Sequence, residues 1–370
     1  PRHGSSSTPL VGTFRSACAL VVLTFALGCG GDSDGEVQAL FQIPATPGEE
    51  LPEGFYSLPY PNDLRLKSDG LIDLSTAPRP NALVEDYVNS AASSQRGFGL
   101  TAAIFVRFDG PIDIATLPQT PELATDAAAS VYLVNIDTDS PGYGTKLPLE
   151  FRFQEDSGEN IGSFWLGCLP FPGYVMREET SYALVVSRRL AAAEGSPVRA
   201  SDDFKALLSK VGSSEERIIR AQVLYQPLLD YLDQESTDSR DNIVAAAVFT
   251  TQNATGLMGR FREVIAGLDV PVARDVQFVA DRTSFALYRG RYDSPNFQAG
   301  SYPFRNIENG GDFELDAAGV PILQGMSDLR FSMSIPTQVP MPASGWPVVL
   351  YAHGTNGDYR TYERNGTAEH

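Results

Sequence analysis

The run of residues 346–357 constrains the fold of this chain more than any other stretch. It reads Trp-Pro-Val-Val-Leu-Tyr-Ala-His-Gly-Thr-Asn-Gly. Residues 348–352 are apolar on both faces of an extended chain, which predicts a strand buried on both sides of a parallel sheet. The small residues that follow allow a tight turn with free backbone N–H groups. Hydrolases need such groups where a carbonyl oxygen becomes an oxyanion, so the stretch predicts part of a hydrolase sheet.

The charge of the chain excludes one class of partner. Its 370 residues predict two or three domains, and its 46 acidic against 28 basic residues give a formal charge of −18. Nucleic-acid binding requires clustered Lys and Arg, and no basic stripe occurs in the sequence. We therefore expect no nucleic-acid partner and interpret the acidity as a solvated, soluble surface.

Cysteine and histidine are too scarce for a metal centre built on them. They are Cys18, Cys29, Cys168, His3, His353 and His370. Their spacing fits neither a zinc site nor a disulfide framework. We expect no metal site and no other cofactor.

The amino terminus has the pattern of an export signal. Arg2 and Arg15 precede an apolar run, residues 17–27. A usual membrane span takes about 20 residues, so this run is too short to be one. It fits the apolar core of a signal peptide, which we assign to residues 1–28.

The end of that signal resembles a bacterial lipobox. Small residues precede Cys29, although Ala26 stands where the usual Leu would be. The resemblance implies that Cys29 is lipidated and that residues 29–50 form a flexible tether to a membrane. The alternative is an ordinary signal peptide with an incidental cysteine.

Residues 51–200 predict a β-sandwich. Alternating or β-branched runs lie at 103–108, 131–136, 147–153 and 182–187. Turn residues separate these runs, as in sandwiches built from short strands. Asp137 and Asp139 invite a calcium interpretation, but no complete loop of oxygen ligands follows, so a hairpin turn is preferred. One short helix is expected over residues 81–92.

Residues 201–270 predict a helical segment that ends with a strand and a further helix. Ser201 is a favourable N-cap, and apolar residues at helical spacing follow. Pro227 should kink or divide that helix. Residues 242–252 read as a buried strand, and the last helix should end near Gly267.

Several short motifs carry a resemblance by their order along the chain. They are Pro-Tyr-Pro-Asn-Asp from 59, Gly-Phe-Gly from 97, Phe-Val-Arg-Phe from 105, Val-Tyr-Leu-Val from 131, Glu-Thr-Ser-Tyr-Ala-Leu-Val-Val from 179 and Phe-Thr-Thr-Gln from 249. This succession resembles the N-terminal region of large bacterial lipoproteins related to the Vibrio-type outer-membrane lipases. In those proteins an immunoglobulin-like module precedes an α/β-hydrolase. The resemblance implies an Ig-like sandwich over 51–200 and the first strands of an incomplete hydrolase sheet over 275–370.

The motif around His353 resembles the oxyanion-hole motif of esterases and lipases. By that resemblance, Gly354 lets the backbone approach the substrate, the Thr355 N–H points at the developing charge, and His353 supports the loop by hydrogen bonding. One such donor typically contributes about 3–4 kcal/mol of transition-state stabilisation. We expect no Gly-x-Ser-x-Gly nucleophile motif anywhere in the 370 residues and no spare interior histidine that could serve as the base. We expect no catalytic residue in this chain.

Two functions follow from these patterns. The first is the N-terminal part of a lipid-anchored serine hydrolase that acts on a carboxylic ester or lipid, with a membrane partner through its anchor. The expected location is the cell envelope, as an outer-membrane lipoprotein, or else secretion if the lipid anchor is missing. The second function is a non-catalytic surface lipoprotein whose sandwich is a binding module.

Overall fold

The computed structural model of the chain describes residues 36–234, 237–304 and 307–369. The predicted signal peptide and Cys29 lie outside these ranges. Within them, the chain is mainly β with several helices, as the sequence predicted. The helices are α1 (Ala82–Ser94), α2 (Asp202–Leu208), α3 (Glu216–Leu224), α4 (Gln226–Gln234), α5 (Gly256–Ala266) and α6 (Thr361–Arg364). The strands are β1 (Gln38–Ala39), β2 (Ile104–Arg107), β3 (Val131–Asn135), β4 (Lys146–Leu147), β5 (Leu149–Gln154), β6 (Trp165–Pro170), β7 (Ser181–Ser187), β8 (Arg199–Ala200), β9 (Ile243–Thr250), β10 (Arg274–Asp281), β11 (Phe285–Asn296), β12 (Gln298–Gly300), β13 (Gly310–Phe313) and β14 (Gly325–Pro336).

Two antiparallel sheets make up the first part of the chain. One has the strand order β2-β6-β5, and the other has the order β4-β3-β7-β9. Side chains from both sheets belong to one apolar core. In β2 the residues alternate between buried and half-buried, as expected for a strand with one face on a core. The predicted runs of short strands are therefore present.

The four-stranded sheet is buried on both of its faces. Seven consecutive residues of β9, from Ile243 to Phe249, are buried. Helices cover one face, and the Tyr225 hydroxyl at the α3–α4 junction donates to the Ala246 carbonyl at 3.2 Å. A break separates α3 from α4 next to Pro227, where the missing N–H and the fixed ring prevent one continuous helix.

The structure corrects two boundaries of the predicted sandwich. Residues 37–43, assigned to the flexible tether, are packed, because β1 pairs with β8 and Val37, Phe41 and Ile43 are buried. The strand β9, assigned to a separate helical segment, is an integral strand of the four-stranded sheet. The folded module therefore runs from about residue 37 to the end of β9 rather than over residues 51–200.

Helix α1 begins as predicted but packs little. The Asn81 side chain caps it by accepting from the Val84 N–H at 3.0 Å. None of its residues is buried, and Leu83 and Tyr87 are 62% and 68% exposed. Local capping and helical propensity thus determine this element more than burial does.

The second part of the chain has a smaller core. Strands β10, β11 and β14 form an antiparallel sheet in that order, and β12 pairs with β13. Helix α5 packs here, with the Phe261 ring 4.9 Å from Phe297 and 4.8 Å from Phe313. The main core takes no residue from the described chain after Phe249. The two parts therefore have separate apolar clusters.

The predicted buried strand at residues 347–352 is not formed. This segment pairs with no strand in the described ranges, and Val348, Val349 and Leu350 are about nine-tenths exposed (90%, 88% and 92%). Burial on two faces requires sheet neighbours and covering elements, and the β10-β11-β14 sheet supplies neither to this segment. The predicted burial of this run is therefore wrong for this chain.

Candidate functional site

The loop that follows the apolar run is a tight turn. The Gly357 N–H donates to the Gly354 carbonyl at 2.9 Å, and His353 Nδ1 lies 3.0 Å from the same oxygen. Asn356 has a positive φ of 63°, a conformation that asparagine tolerates better than most residues. A Cβ on Gly357 would lie 2.8 Å from the His353 Cβ, so the turn requires glycine there. The Gly354 carbonyl is thus fixed from two sides.

The amides of this turn remain available. Among the residues that the structure describes, no acceptor receives the N–H of Gly354 or of Thr355. His353, Gly354 and Thr355 are all exposed. The structure brings the three sequence-predicted residues into one turn. It does not place them in a crevice of a parallel sheet.

Residues that flank this turn contact the short helix α6 and Asn365, the residue that follows it. On the N-terminal side, Asn365 Nδ2 donates to the Tyr351 hydroxyl at 3.0 Å, and the ring of Tyr351 lies 6.1 Å from that of Tyr362. On the C-terminal side, Arg364 binds the Asp358 carboxylate through both Nη atoms at 3.2 and 3.0 Å. The position of the turn therefore depends on the position of α6.

Helix α6 is attached to the antiparallel sheet through one carboxylate. Glu363, which is 12% exposed, accepts from Arg289 Nη2 at 2.7 Å and from Ser332 Oγ at 2.5 Å. Arg289 and Ser332 are cross-strand partners on β11 and β14. The carboxylate of Glu363 holds the pKa of Arg289 above its ordinary value by accepting this hydrogen bond. Nothing in the sequence pattern pointed to this contact, since its partners are distant in the chain.

The described residues contain no complete catalytic constellation beside the turn. One Gly-x-Ser-x-Gly sequence does occur in the chain, at residues 31–35, directly after Cys29. It lies outside the described residues and does not follow a predicted strand, which is the context that a nucleophile elbow requires. No group of three or more His, Cys, Asp or Glu in the described ranges could hold a metal ion. Asp137 and Asp139 lie in a hairpin turn, where Asp137 Oδ1 accepts from the Asp139 N–H at 3.0 Å.

The Pro-Tyr-Pro-Asn-Asp motif forms a buried polar cluster in the sandwich module. Asn62 Nδ2 donates to the Tyr225 hydroxyl at 2.7 Å. Asp63 accepts from the Thr250 N–H at 2.9 Å and from its hydroxyl at 2.8 Å. Burial raises the pKa of Asp63 to about 6, and the two Thr250 hydrogen bonds oppose that shift. This cluster joins the start of the module to its last strand.

Arg65 continues this cluster as a buried cation. It donates through Nη2 to the Phe55 carbonyl at 2.9 Å and through Nη1 to the Pro47 carbonyl at 3.2 Å. Its guanidinium carbon lies 4.1 Å from the centre of the Phe55 ring. Burial lowers the pKa of Arg65 to about 10. All of these contacts join one segment of the module to another. The Pro-Tyr-Pro-Asn-Asp motif and Arg65 therefore have a structural role.

Comparisons with known proteins identify no family for this chain. No family model matches it, and no curated protein matches it. Among solved structures, it is similar to the N-terminal part of the bacterial S-layer protein SbsC, with a TM-score of 0.19 and 15% identity over 33% of this chain and 27% of that one. It is also similar to the S-layer protein rSbsC(31-844), with a TM-score of 0.20 and 8% identity over 70% of this chain and 36% of that one. The chain thus spans about a quarter to a third of those structures. In the described ranges, no helix has the length and apolar character needed to cross a bilayer.

Proposed function

We propose that this chain is the N-terminal part of a secreted, lipid-anchored serine hydrolase that cleaves carboxylic esters. In this proposal, residues 353–357 form one side of the oxyanion hole. The Thr355 N–H donates to the carbonyl oxygen as it gains negative charge, and Gly354 leaves room for the substrate. Sequence outside these 370 residues contributes the nucleophile, its base and the orienting carboxylate.

One observation carries this proposal. An apolar run leads into a hydrogen-bonded turn whose Gly354 and Thr355 amides have no acceptor among the described residues. A hydrogen-bond donor that is held in place before the reaction needs no reorganisation when charge develops, and this is the physical basis of an oxyanion hole. The exposed apolar side chains at 348–350 favour further strands beside this run in the complete enzyme.

The first module has a supporting role in this proposal. Its sheets have three and four antiparallel strands, a total that fits the seven-strand arrangement of an immunoglobulin-like sandwich.

We place the protein in the cell envelope through acyl chains on Cys29, as an outer-membrane lipoprotein. Labelling with a clickable fatty acid in a bacterial host tests this placement. A protein that takes up no label, or takes up the same label after Cys29→Ser, would contradict it.

The enzymatic proposal is tested on the natural protein that contains this chain. We expect it to hydrolyse a short-chain nitrophenyl ester and to be labelled covalently by a fluorophosphonate, which reacts with activated serines. Prior labelling should abolish ester hydrolysis. A protein that neither cleaves any short-chain ester nor takes up the label would contradict the proposal.

The alternative function is a non-catalytic surface lipoprotein with a binding module. One observation favours it: the core of the sandwich closes without any described residue after Phe249. Such a module is expected to fold alone and to retain its binding when residues 268–370 are removed. Ester hydrolysis that requires Thr355 in the natural protein would decide for the enzyme.

A further inference from the structure

The turn at 353–357 is the part of this chain whose placement needs explaining. It is exposed, and the run before it is unpaired in the described ranges. A loop of this kind would normally sample many positions. Yet residues on both of its sides contact α6 or the residue that follows it, through Tyr351 and Asp358. The turn and α6 are therefore expected to move as one unit.

The position of that unit relative to the sheet depends on few contacts. Glu363 bridges Arg289 and Ser332, which face each other across β11 and β14. The Tyr362 hydroxyl adds a longer hydrogen bond, 3.3 Å, to the same Ser332 Oγ. The Arg330 guanidinium carbon, 5.0 Å from the centre of the Tyr359 ring, supplies a weaker cation–π contact. Of these, the charge-assisted bonds of Glu363 are the strongest and the best protected from solvent.

We infer that Glu363 is a positioning residue, which fixes the turn at 353–357 to the antiparallel sheet through Arg289 and Ser332. It touches no reacting atom. It acts by holding α6, and α6 holds both sides of the turn. The consequence for catalysis rests on the proposed function, whereas the mechanical coupling does not.

The physical effect of this coupling is on geometry. A donor contributes fully to an oxyanion hole only when it lies within hydrogen-bonding distance of the developing charge. A misplacement of about 1 Å can lower a rate by about 100-fold. Release of α6 from the sheet would free the turn to shift, and its internal hydrogen bonds would open more often. The expected signature is a lower kcat with little change in KM, because the ground state is bound elsewhere.

The coupling itself is tested by hydrogen exchange on the chain, which needs no activity. We expect Glu363→Ala to speed exchange at the Gly357 and Thr361 amides by about tenfold, since both are hydrogen-bonded within this unit. Glu363→Gln keeps an acceptor for Ser332 and Arg289, so it should give an intermediate rate. The control Glu369→Ala removes a carboxylate of the same segment that is exposed, and it should change nothing. Exchange in β7 should stay unchanged in all three variants.

Two outcomes would overturn the inference. Unchanged exchange at Gly357 in Glu363→Ala would show that the turn is held by other contacts. Equal acceleration in β7 would show a general loss of stability.

The catalytic consequence is measured on the natural protein with the same three variants. We expect Glu363→Ala to lower kcat roughly 100-fold with KM nearly unchanged. An unchanged kcat alongside faster exchange would refute the positioning role in catalysis. If the unsubstituted protein cleaves no ester, the proposed function fails, and the exchange result still decides the mechanical coupling.

Discussion

The two sheet-forming parts of this chain differ in how their strands obtain burial. In the sandwich module, β9 is buried at seven consecutive residues. In the second part, β10 has seven exposed residues and one half-buried residue among its eight. Both are antiparallel arrangements with apolar side chains, so strand propensity is not the difference. The difference is the covering layer: helices and a second sheet cover β9, whereas no described element buries the faces of β10.

This contrast shows where the stability of the described chain resides. A strand with both faces covered contributes apolar burial from every residue, whereas an exposed strand contributes mainly its ladder hydrogen bonds. Val276, Phe278 and Val279 of β10 are 47%, 54% and 40% exposed. Apolar surface of this kind is typical of sites that contact another element or partner. The sandwich module buries its own apolar side chains, whereas the second sheet leaves several of them exposed.

The largest expected effect separates the two regions by a matched substitution. Phe249 is fully buried against the rings of Phe98 and Tyr182, at 6.1 and 6.3 Å. We expect Phe249→Ala to lower the free energy of unfolding by about 3–5 kcal/mol. The control Phe278→Ala, in the exposed sheet, should change it by no more than about 0.5 kcal/mol. Urea denaturation followed by Trp165 fluorescence for the sandwich and Trp346 fluorescence for the second part measures both, and equal effects would refute the contrast.

The next effect concerns the pH dependence of the sandwich. The pKa of Asp63 is raised from 3.8 to about 6 in the folded state, because burial disfavours the carboxylate. Because its pKa is raised in the folded state, protonated Asp63 stabilises the fold below pH 4. This contribution is lost as the pH rises through about 6. The loss amounts to roughly 3 kcal/mol, at 1.36 kcal/mol per pKa unit.

Asp63→Asn removes this titration while keeping an oxygen acceptor for Thr250. The stability of the variant relative to the natural sequence should therefore rise by roughly 3 kcal/mol between pH 4 and pH 7. The control Asp69→Asn changes an exposed carboxylate nearby and should show no such rise. Urea denaturation at several pH values tests this. Parallel pH profiles for Asp63→Asn and the natural sequence would contradict the assignment.

A smaller effect is expected at the hydroxyl of Tyr225. It accepts from Asn62 Nδ2 and donates to the Ala246 carbonyl, with all three groups buried. Tyr225→Phe leaves the Asn62 amide without that partner and should cost about 1–3 kcal/mol of stability. Thermal denaturation compares it with Tyr302→Phe, which changes an 88% exposed tyrosine. Equal melting temperatures for the two variants would show that the buried cluster adds no stability.

The smallest effect is expected at the ion pairs of the exposed sheet. Arg291 on β11 and Asp328 on β14 form an ion pair across the two strands, and the side chains of both are more than two-fifths exposed. Solvent screens such pairs, so a double-mutant cycle with Arg291→Ala and Asp328→Ala should give a coupling of only about 0.2–1 kcal/mol. A coupling of several kcal/mol would mean that this sheet is more strongly organised by charge than its exposure indicates.

Local patterns were enough to predict some elements but not the contacts that join them. The start of α1 beside Asn81, the short strands β2 and β7 and the break beside Pro227 each depend on neighbours in sequence, and the structure has all of them. The alternation at Val37, Ala39, Phe41 and Ile43 was also present in the sequence. It was outweighed by the lipobox resemblance, which assigned residues 29–50 to a tether.

Long-range contacts escaped prediction for a physical reason. The Asp63–Thr250 bonds join residues 187 positions apart, and the Asn62–Tyr225 bond spans 163 positions. The hydrophobic periodicity of a sequence carries no information about a contact between residues so far apart. The apolar run at 348–350 shows a different limit of sequence-based prediction. Its residues are the same whether or not other elements cover them, so the pattern alone does not predict burial. The sequence indicated an extended apolar run, and the structure of this chain leaves it exposed.

The backbone donor of Thr355 provides the most direct test of the account. Thr355→Pro removes the N–H, and Thr355→Ala removes only the hydroxyl and keeps the N–H. In the natural protein that contains this chain, we expect Thr355→Pro to lower kcat for a nitrophenyl ester about 100- to 1,000-fold, with Thr355→Ala close to the unsubstituted protein. Equal activity of the two variants would contradict an oxyanion hole at this turn.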